Sequence, residues 1–451
     1  MKRKWPYILV AVLCAIYVTF SYSRVGGQFD DTDTKVLLQN IQQRHAPLSW
    51  FVGDWPLGNH FYRPVSTLTF EMDQRLHPGS ETGFEVTSAA IVGLCILALF
   101  WFVWALFGSP LIAAGCAVLF TVWVQDKGGD LYAPFLGLVG IAALVALVRQ
   151  PKRWINAVGI ALIGIYAALE LSGLQGIRNR TMDWLPGRTA TVAAFFALLA
   201  LAFYARYERL RTDRLPVPPS PLNPPATRNT QVEASPKNSM LLAGLSLICC
   251  WLALSSYEQA VMLPACFVGV AVSLWLQGYR VKWQVPALSF VLLGLYLYVR
   301  HEVLPAGLSQ YQAQQLRHGY SVFLDLTDYL APAYREVGRL KEGLDQGPLI
   351  FVTWPPYAQF LTIAANIALF FMFPKKKALL LTGYGLSFLA FLPMAWSKMF
   401  AHYYFWPMAM RTVFVAGLIA LLGEMVITGW SPQAKQAPER RDPAPGSLPH
   451  P

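Results

Sequence analysis

The chain has 451 residues, of which 55% are hydrophobic and 14% are charged, and its formal net charge at pH 7 is +11. A water-soluble protein cannot bury that much apolar surface, so this composition excludes a soluble globular protein and makes lipid the solvent for most of the chain. The basic residues lie beside apolar stretches rather than in a patch of their own, which excludes nucleic acid as an expected partner.

About twelve apolar stretches, each of roughly 16 to 22 residues, predict an all-α polytopic membrane protein with about twelve transmembrane helices. The stretches are 5–22, 86–107, 110–124, 132–148, 154–172, 189–205, 240–255, 260–276, 283–299, 358–373, 378–395 and 404–422. The first lacks a small-residue cleavage site, so we expect a retained helix rather than a signal peptide. All six cysteines lie inside these stretches, which is typical of packing residues rather than of disulfides or metal ligands.

Clusters of basic residues set the expected orientation, because cytoplasmic loops carry an excess of Lys and Arg. The clusters are Lys2, Arg3 and Lys4; Arg149, Lys152 and Arg153; residues 206–214; Arg280 and Lys282; residues 375–377; and Arg440 and Arg441. With the N-terminus in the cytoplasm, all of them fall on the cytoplasmic face, while Arg178, Arg180 and Arg188 fall outside. We therefore expect a multi-pass membrane protein with its functional groups on the extracytoplasmic side; the membrane that we expect is a bacterial inner (plasma) membrane.

We expect a single transmembrane domain, residues 1–430, whose helices are joined by the following segments. The first outer loop, 23–85, contains "TKVLLQNIQQRH" and "STLTFEMDQRLH", whose spacing predicts amphipathic surface helices. The second outer loop, 301–357, contains the half-apolar "YSVFLDLTDYLAPAYREV". Residues 211–239 form an extended cytoplasmic linker with six prolines within ten residues. The polar, Pro-rich tail 431–451 is expected to be disordered.

Polar residues that hydropathy alone does not predict collect at the outer ends of six segments. They are Asp30, Asp31 and Asp33; Asp54, Tyr62 and Arg63; Asp183 and Arg188; Glu258; Arg300; and His402, Tyr403 and Tyr404. A charge at the centre of a transmembrane helix costs roughly 2.5–3.5 kcal/mol on insertion scales, so helix ends are where such groups are tolerated. For each residue taken singly, an ordinary polar loop is the competing interpretation.

These segments resemble a known family, in the family's order and over roughly residues 20–425. The resemblance is carried by "FDD", "FYRPVSTLTFEMDQRL", "DWLPGRT", "SSYEQAVMLP", "YLYVRHEVL" and "HYYFWP". They resemble the motifs of the membrane-embedded C-type glycosyltransferase superfamily, and most of all the transmembrane and tetratricopeptide-repeat O-mannosyltransferases and their bacterial relatives. The chain departs from that pattern in five ways. It lacks the repeats, has Tyr257 where the family has Lys, and has His402, or the nearby Lys398, in place of a late Arg. It also lacks the His-Pro that usually precedes the Trp-Gly-Arg segment, and residues 109–150 add a pair of helices.

The resemblance implies a C-type glycosyltransferase-like fold and a hexosyltransferase-like enzyme. It would transfer a sugar, which the resemblance does not identify, with inversion from a polyprenyl-phosphate donor to a hydroxyl of a protein, glycan or lipid acceptor. It puts the role of base on Asp30 or Asp31, and it leaves open which of them. One carboxylate suffices, because a phosphate leaving group needs no general acid. The substrate-binding candidates are Arg63, Tyr62, Asp54, Arg188, Glu258, Arg300, His402 and Tyr403. No cofactor or dedicated metal site is expected, although the acidic loops leave recruitment of a divalent cation open.

Two other classes of protein stay open at this point. A secondary transporter also has about twelve helices, but it usually carries ionisable groups at the bilayer midplane. Here the apolar stretches are largely free of charge, with Glu170 as the clearest exception. A non-catalytic membrane scaffold of the same fold is the other alternative, since the family's lysine is missing.

Overall fold

The computed structural model describes residues 4–22, 26–44, 46–149, 154–172, 181–211, 236–330, 357–373, 376–398 and 400–428. In these ranges the protein is all-helical and has no β-strand, and an isolated β-bridge pairs Leu316 with Ser397. The helices are α1 Trp5–Tyr22, α2 Thr32–Arg44, α3 Pro64–Leu76, α4 Glu81–Phe107, α5 Pro110–Val124, α6 Gly128–Arg149, α7 Trp154–Ser172, α8 Arg188–Arg211, α9 Pro236–Leu254, α10 Leu263–Leu276, α11 Gln284–Val303, α12 Gln310–Gln315, α13 Tyr320–Leu330, α14 Tyr357–Met372, α15 Lys377–Phe391 and α16 Phe405–Thr428.

Every predicted apolar stretch contains a helix, and six helical segments in the described ranges are long and apolar enough to cross a membrane. These are Glu81–Phe107, Trp154–Leu171, Leu185–Arg211, Glu258–Leu276, Lys377–Trp396 and Ala401–Ile427. The chain is therefore an integral membrane protein by the length and composition of its helices. A full set of twelve crossings stays a prediction.

Local sequence explains several of the helix boundaries. The Ser80 side chain caps α4 by accepting the Gly83 N–H, and Gly108 ends that helix in the left-handed conformation with φ 72°. Ser109 then caps α5, where Pro110 occupies the first turn. These signals make a sharp α4–α5 turn at the end of the bundle opposite to the start of α4.

Small residues allow the helices of the bundle to pack closely. A Cβ atom at Gly383 in α15 would collide with the backbone of Phe414 in α16. A Cβ at Gly93 in α4 would lie 3.0 Å from the Ala15 carbonyl oxygen of α1. The main core lies between α1, α4, α5, α8, α9, α10, α15 and α16, and it contains buried residues such as Phe102, Tyr204 and Phe267. This packing fixes the helix ends that carry the polar segments.

The two helices predicted in the first outer loop are present, and they have a small core of their own. Leu37 and Ile41 of α2 pack with Phe70 of α3, and Phe84 of α4 and Leu185 complete the cluster. The loop is thus attached to the start of α4 and to the segment before α8. This arrangement brings the "FDD" and "DWLPGR" sequences together.

The second loop docks on the first through short helix α12. The Ser309 hydroxyl donates to the Asn59 carbonyl at 3.0 Å, and the Gln312 amide donates to the His60 carbonyl at 2.9 Å. The Tyr311 ring lies edge-on to Phe61 at 6.3 Å. As a result, α12 lies directly beside the segment that carries Arg63.

Besides several members of the basic clusters, four predicted features lie wholly or partly outside the described residues. They are the central part of the 211–239 linker, the 431–451 tail, residues 331–356 of the second loop, and Arg178 with Arg180. The first part of the half-apolar segment in the second loop forms helix α13.

The apolar helices contain an enclosed ion pair, so Glu170 is not their only charge. Arg411 of α16 donates to Glu170 of α7 through Nε at 2.9 Å and Nη2 at 2.6 Å, and both side chains are 2% exposed. The Tyr166 hydroxyl also donates to Glu170, and the Tyr384 ring lies 4.6 Å from the guanidinium carbon. The pair therefore links α7 to the first turns of α16.

Candidate active site

The predicted polar segments meet at one end of the helical bundle, which we call the site end. There α1, α7, α9 and α11 finish, and α4, α8, α10 and α16 begin. The segment Gly26–Asp31 that follows α1 is held by the first turns of α4. The Phe29 N–H donates to Glu81 at 3.0 Å, and the Gly26 N–H donates to Glu85 at 2.5 Å. The two carboxylates fix the backbone that carries the paired aspartates.

The two aspartates differ in their surroundings. Asp31 caps α2: its Oδ2 accepts the Thr34 N–H at 2.9 Å and the Thr34 hydroxyl at 3.2 Å. The same oxygen accepts the Trp184 indole N–H at 3.1 Å. Asp30 is exposed, and its carboxylate has no hydrogen-bond partner in the described parts of the chain. Asp31 is thus held in place, while Asp30 is open to an incoming group.

Arg63 and Glu258 form the central ion pair of the site. Arg63 Nε and Nη2 both donate to Glu258 Oε2, at 2.8 and 2.6 Å, with side chains 10% and 20% exposed. The rings of Phe61, Tyr257 and Trp55 lie 4.2, 4.5 and 5.1 Å from the guanidinium carbon. Burial lowers the pKa of Arg63, but the Glu258 carboxylate, together with Tyr257 and Tyr403, outweighs burial, so the pKa is raised and the charge is retained.

Arg300 brings a second guanidinium group to this pair. It lies one turn after Tyr296 on α11, and the Tyr296 hydroxyl interacts electrostatically with Glu258, Arg300 and Arg63. Three buried atoms here have no hydrogen-bond partner among the described residues: Glu258 Oε1, Tyr296 Oη and Arg300 Nε. Arg63, Arg300 and Glu258 together carry one net positive charge near the Tyr296 hydroxyl. Such a site suits an anion with hydrogen-bonding oxygens.

A layer of aromatic rings connects the aspartates to the cations. The Trp184 ring, whose N–H binds Asp31, lies 5.2 Å from the buried His402 ring. The His402 ring lies 4.4 Å from Tyr403 and 6.2 Å from Tyr257, which covers Arg63. Gln259, next to Glu258, donates to the Tyr403 carbonyl at 2.8 Å. Contacts of this kind join segments that are far apart in the sequence into one continuous site.

Arg188 lies apart from this layer, in a closed ion pair. The side chain is 0% exposed, and it donates to Asp73 at 2.5 Å, to the Ser88 hydroxyl at 2.9 Å and to the Phe84 carbonyl at 2.7 Å. Asp73 also accepts the Thr87 hydroxyl at 2.6 Å. All of these contacts are within the protein, and they join α8 to α3 and α4.

Asp54 and Tyr62 shape the segment that presents Arg63. Asp54 accepts the backbone N–H groups of His60 and Phe61, each at 2.9 Å. Tyr62 is 1% exposed, donates to the Phe51 carbonyl at 3.2 Å and packs against Tyr296. Burial raises the pKa of Tyr62, so its hydroxyl stays protonated as a donor. Both residues act here on the loop rather than on the open part of the site.

The sequence did not single out Trp184, Asp73, Tyr296, Glu81 or Glu85. Trp184 was visible only as part of the Trp-x-x-Gly-Arg sequence, and its contacts with Asp31 and His402 are tertiary. Arg411 could have been predicted to form an ion pair, because an arginine inside an apolar stretch is tolerated when a carboxylate pairs with it. No cluster of three or more potential metal ligands occurs in the described ranges.

The fold and this site define an all-helical integral membrane protein in which an arginine–glutamate pair and a layer of aromatic rings lie at one end of the helices. Comparison with protein-family models, curated proteins and solved structures gives no match to the chain.

Proposed function

We propose that the chain transfers a sugar from a polyprenyl-phosphate-linked donor to an acceptor hydroxyl at the site end of the bundle, with inversion at the anomeric carbon. The observation that carries the proposal is the continuity of the site. An open carboxylate lies on one side of an aromatic layer, and a net cationic group with unpartnered buried atoms lies on the other. A sugar phosphate has this layout, with an electrophilic carbon next to an anion.

In the proposed reaction the acceptor oxygen attacks the anomeric carbon as the bond from that carbon to the phosphate oxygen breaks. The acceptor proton passes to a carboxylate, and the bonding electron pair leaves with the phosphate. Arg63 and Arg300 stabilise the departing phosphate, because guanidinium groups in a partly dehydrated site bind phosphate oxygens strongly. Polyprenyl phosphate already leaves as a stable anion, so no second carboxylate is required as an acid.

We assign the base to Asp30 and a positioning role to Asp31. Three donors converge on Asp31 Oδ2 and hold that carboxylate as a helix cap. Asp30 is exposed on the same turn, so an acceptor hydroxyl can reach it. Placement at the end of α1 fits a donor whose phosphate lies at headgroup depth while its tail lies in hydrocarbon.

The test is turnover by purified protein with a panel of short-chain polyprenyl-phosphate hexoses (mannose, glucose and galactose), measured as release of polyprenyl phosphate. Asp30→Asn should lower kcat by about 10²- to 10⁴-fold, the usual contribution of a general base. Asp31→Asn should cost less in kcat and should lower stability by about 0.5–2 kcal/mol through its cap. Asp33→Asn, the same change two residues further along the chain, is the matched control. Near-normal turnover by Asp30→Asn would refute the base, and no turnover of any donor by the wild-type protein would refute the function.

One observation favours secondary transport as a second candidate. The Glu170–Arg411 pair is an enclosed set of charges between apolar helices, and intramembrane ionisable residues often mark ion or substrate pathways. The transport hypothesis predicts solute flux into liposomes without consumption of a lipid-linked sugar. Such flux in the wild-type protein would support it, and its absence would exclude it.

A further inference from the structure

Trp184 lies where the two halves of the proposed site meet. Its indole N–H is bonded to Asp31, and its ring packs against His402, which in turn neighbours the Tyr257 ring over Arg63. The side chain is only partly buried, so part of the ring remains accessible. No other described aromatic ring contacts both an aspartate of the 30–31 pair and the His402 group.

The backbone around Trp184 is held firmly on both sides. Before it, the Met182 carbonyl accepts a short hydrogen bond from the buried Gln28 amide. After it, Leu185 is buried in the first-loop cluster, and the Gly187 N–H donates to the Trp184 carbonyl at 2.9 Å. Arg188 then fastens the start of α8 to Asp73. Trp184 therefore keeps a fixed position relative to both the aspartate segment and the bundle.

Any sugar that spans this site must cross the ring layer. Its phosphate would rest on Arg63 and Arg300, and its anomeric carbon would face Asp30. A pyranose has an apolar C–H face with slightly positive hydrogens, and the negative face of an aromatic ring attracts such a surface. The Trp184 N–H donates to Asp31, so the Trp184 ring lies beside the aspartate pair, where a sugar facing Asp30 would cover it.

We propose that Trp184 is the sugar-binding platform of the site and that its N–H positions Asp31 at the same time. This proposal rests on the proposed function, because it takes a polyprenyl-phosphate pyranose as the ligand. It names a substrate-contacting residue that also links acceptor activation to donor binding. It makes two separable predictions, one for the ring and one for the N–H group.

The experiment measures binding and turnover for three variants of the full-length protein in detergent. The probes are the short-chain polyprenyl-phosphate hexoses that the wild-type protein binds and the same polyprenyl phosphate without sugar. Trp184→Leu removes the ring, and Trp184→Phe keeps an aromatic ring but removes the N–H. Trp275→Leu is the control, since Trp275 is 65% exposed near the opposite end of α10.

For Trp184→Leu we expect the Kd for the sugar-bearing donor to rise about tenfold while the Kd for bare polyprenyl phosphate stays within about twofold. For Trp184→Phe we expect near-normal donor affinity and a kcat lowered about tenfold or more, because Asp31 loses one of its three donors. The control should change none of these values. A purely structural role would instead weaken both ligands together.

Two results would overturn the proposal. An equal effect of Trp184→Leu on both ligands, or no effect on either, would refute the platform while leaving the proposed function intact. Failure of the wild-type protein to bind either ligand would remove the proposed function, and this proposal with it. The two failures are distinguishable, because the binding measurements do not depend on turnover.

Discussion

Asp73→Asn tests the most enclosed electrostatic contact of the protein. The variant keeps the shape of the side chain but removes the charge that faces Arg188, and both side chains are 0% exposed. Removing one partner of a buried ion pair leaves an uncompensated charge, which costs about 3–5 kcal/mol of folding free energy. Replacing both partners, as Asp73→Asn with Arg188→Met, should recover most of that loss and leave a deficit of about 0–2 kcal/mol.

The assay is equilibrium unfolding in mixed micelles with a denaturing detergent. Asp130→Asn is the matched control, because the same substitution there removes a carboxylate that pairs with Lys127 while both side chains are exposed, 70% and 64%. That variant should cost no more than about 1 kcal/mol. The reasoning fails if Asp73→Asn is no less stable than Asp130→Asn, or if the double variant loses the sum of the effects of Asp73→Asn and Arg188→Met measured singly.

The double variant also separates two roles for Arg188. Normal turnover in a folded double variant would assign Arg188 to structure alone. A folded variant with weakened binding of polyprenyl phosphate would instead support the phosphate-binding role that the sequence resemblance implies. The closed contacts with Asp73, Ser88 and Phe84 favour the structural outcome.

Three further predictions concern the site and its support. Arg63→Lys keeps the positive charge but loses the two-donor contact with Glu258. The affinity for polyprenyl phosphate, measured by calorimetry, should therefore fall about tenfold. Unchanged affinity would contradict the role of Arg63 in binding phosphate. Glu170→Gln leaves the charge of Arg411 uncompensated, so it should lower the free energy of unfolding by about 3–5 kcal/mol in the same assay. The double variant Glu170→Gln with Arg411→Leu should recover most of that loss. Burial, reinforced by the neighbouring Tyr403, raises the pKa of Tyr257 well above its usual value, so the folded state retains a proton that the unfolded state releases. Stability from this group is therefore complete below about pH 10 and is lost as pH rises further. Tyr257→Phe should flatten that alkaline decline, and equal slopes for wild type and variant would contradict it.

The helices were predictable because the apolar stretches are long and because glycines, prolines and capping residues separate them clearly. The turn at Gly108 and Ser109 separates α4 from α5, and the capping serines lie where hydropathy changes. The two amphipathic helices of the first loop also followed from spacing alone. Length remains the weak point: several apolar helices, such as Pro110–Val124, are shorter than the roughly 20 residues that a bilayer requires.

The site was predictable as a set of positions but not as a set of contacts. Arg63 and Glu258 are 195 residues apart, and no local pattern in a single sequence predicts that they form an ion pair. Arg188 and Asp73 illustrate the same limit, since an arginine at a helix start looks equally suited to a ligand or to a buried carboxylate. Asp73 itself lies among other polar residues of "FEMDQRL", where composition gives no sign of its complete burial.

The Arg188–Asp73 contact also sets an order on biosynthesis. The two residues are 115 positions apart, so a ribosome working at about 5–20 residues per second makes Asp73 roughly 6–23 s before Arg188. During that interval the Asp73 carboxylate and the Phe84 carbonyl do not yet have the Arg188 guanidinium group as a hydrogen-bond donor. The first loop therefore matures only once α8 has been made, and the emerging chain exposes that loop to chaperones and proteases until then.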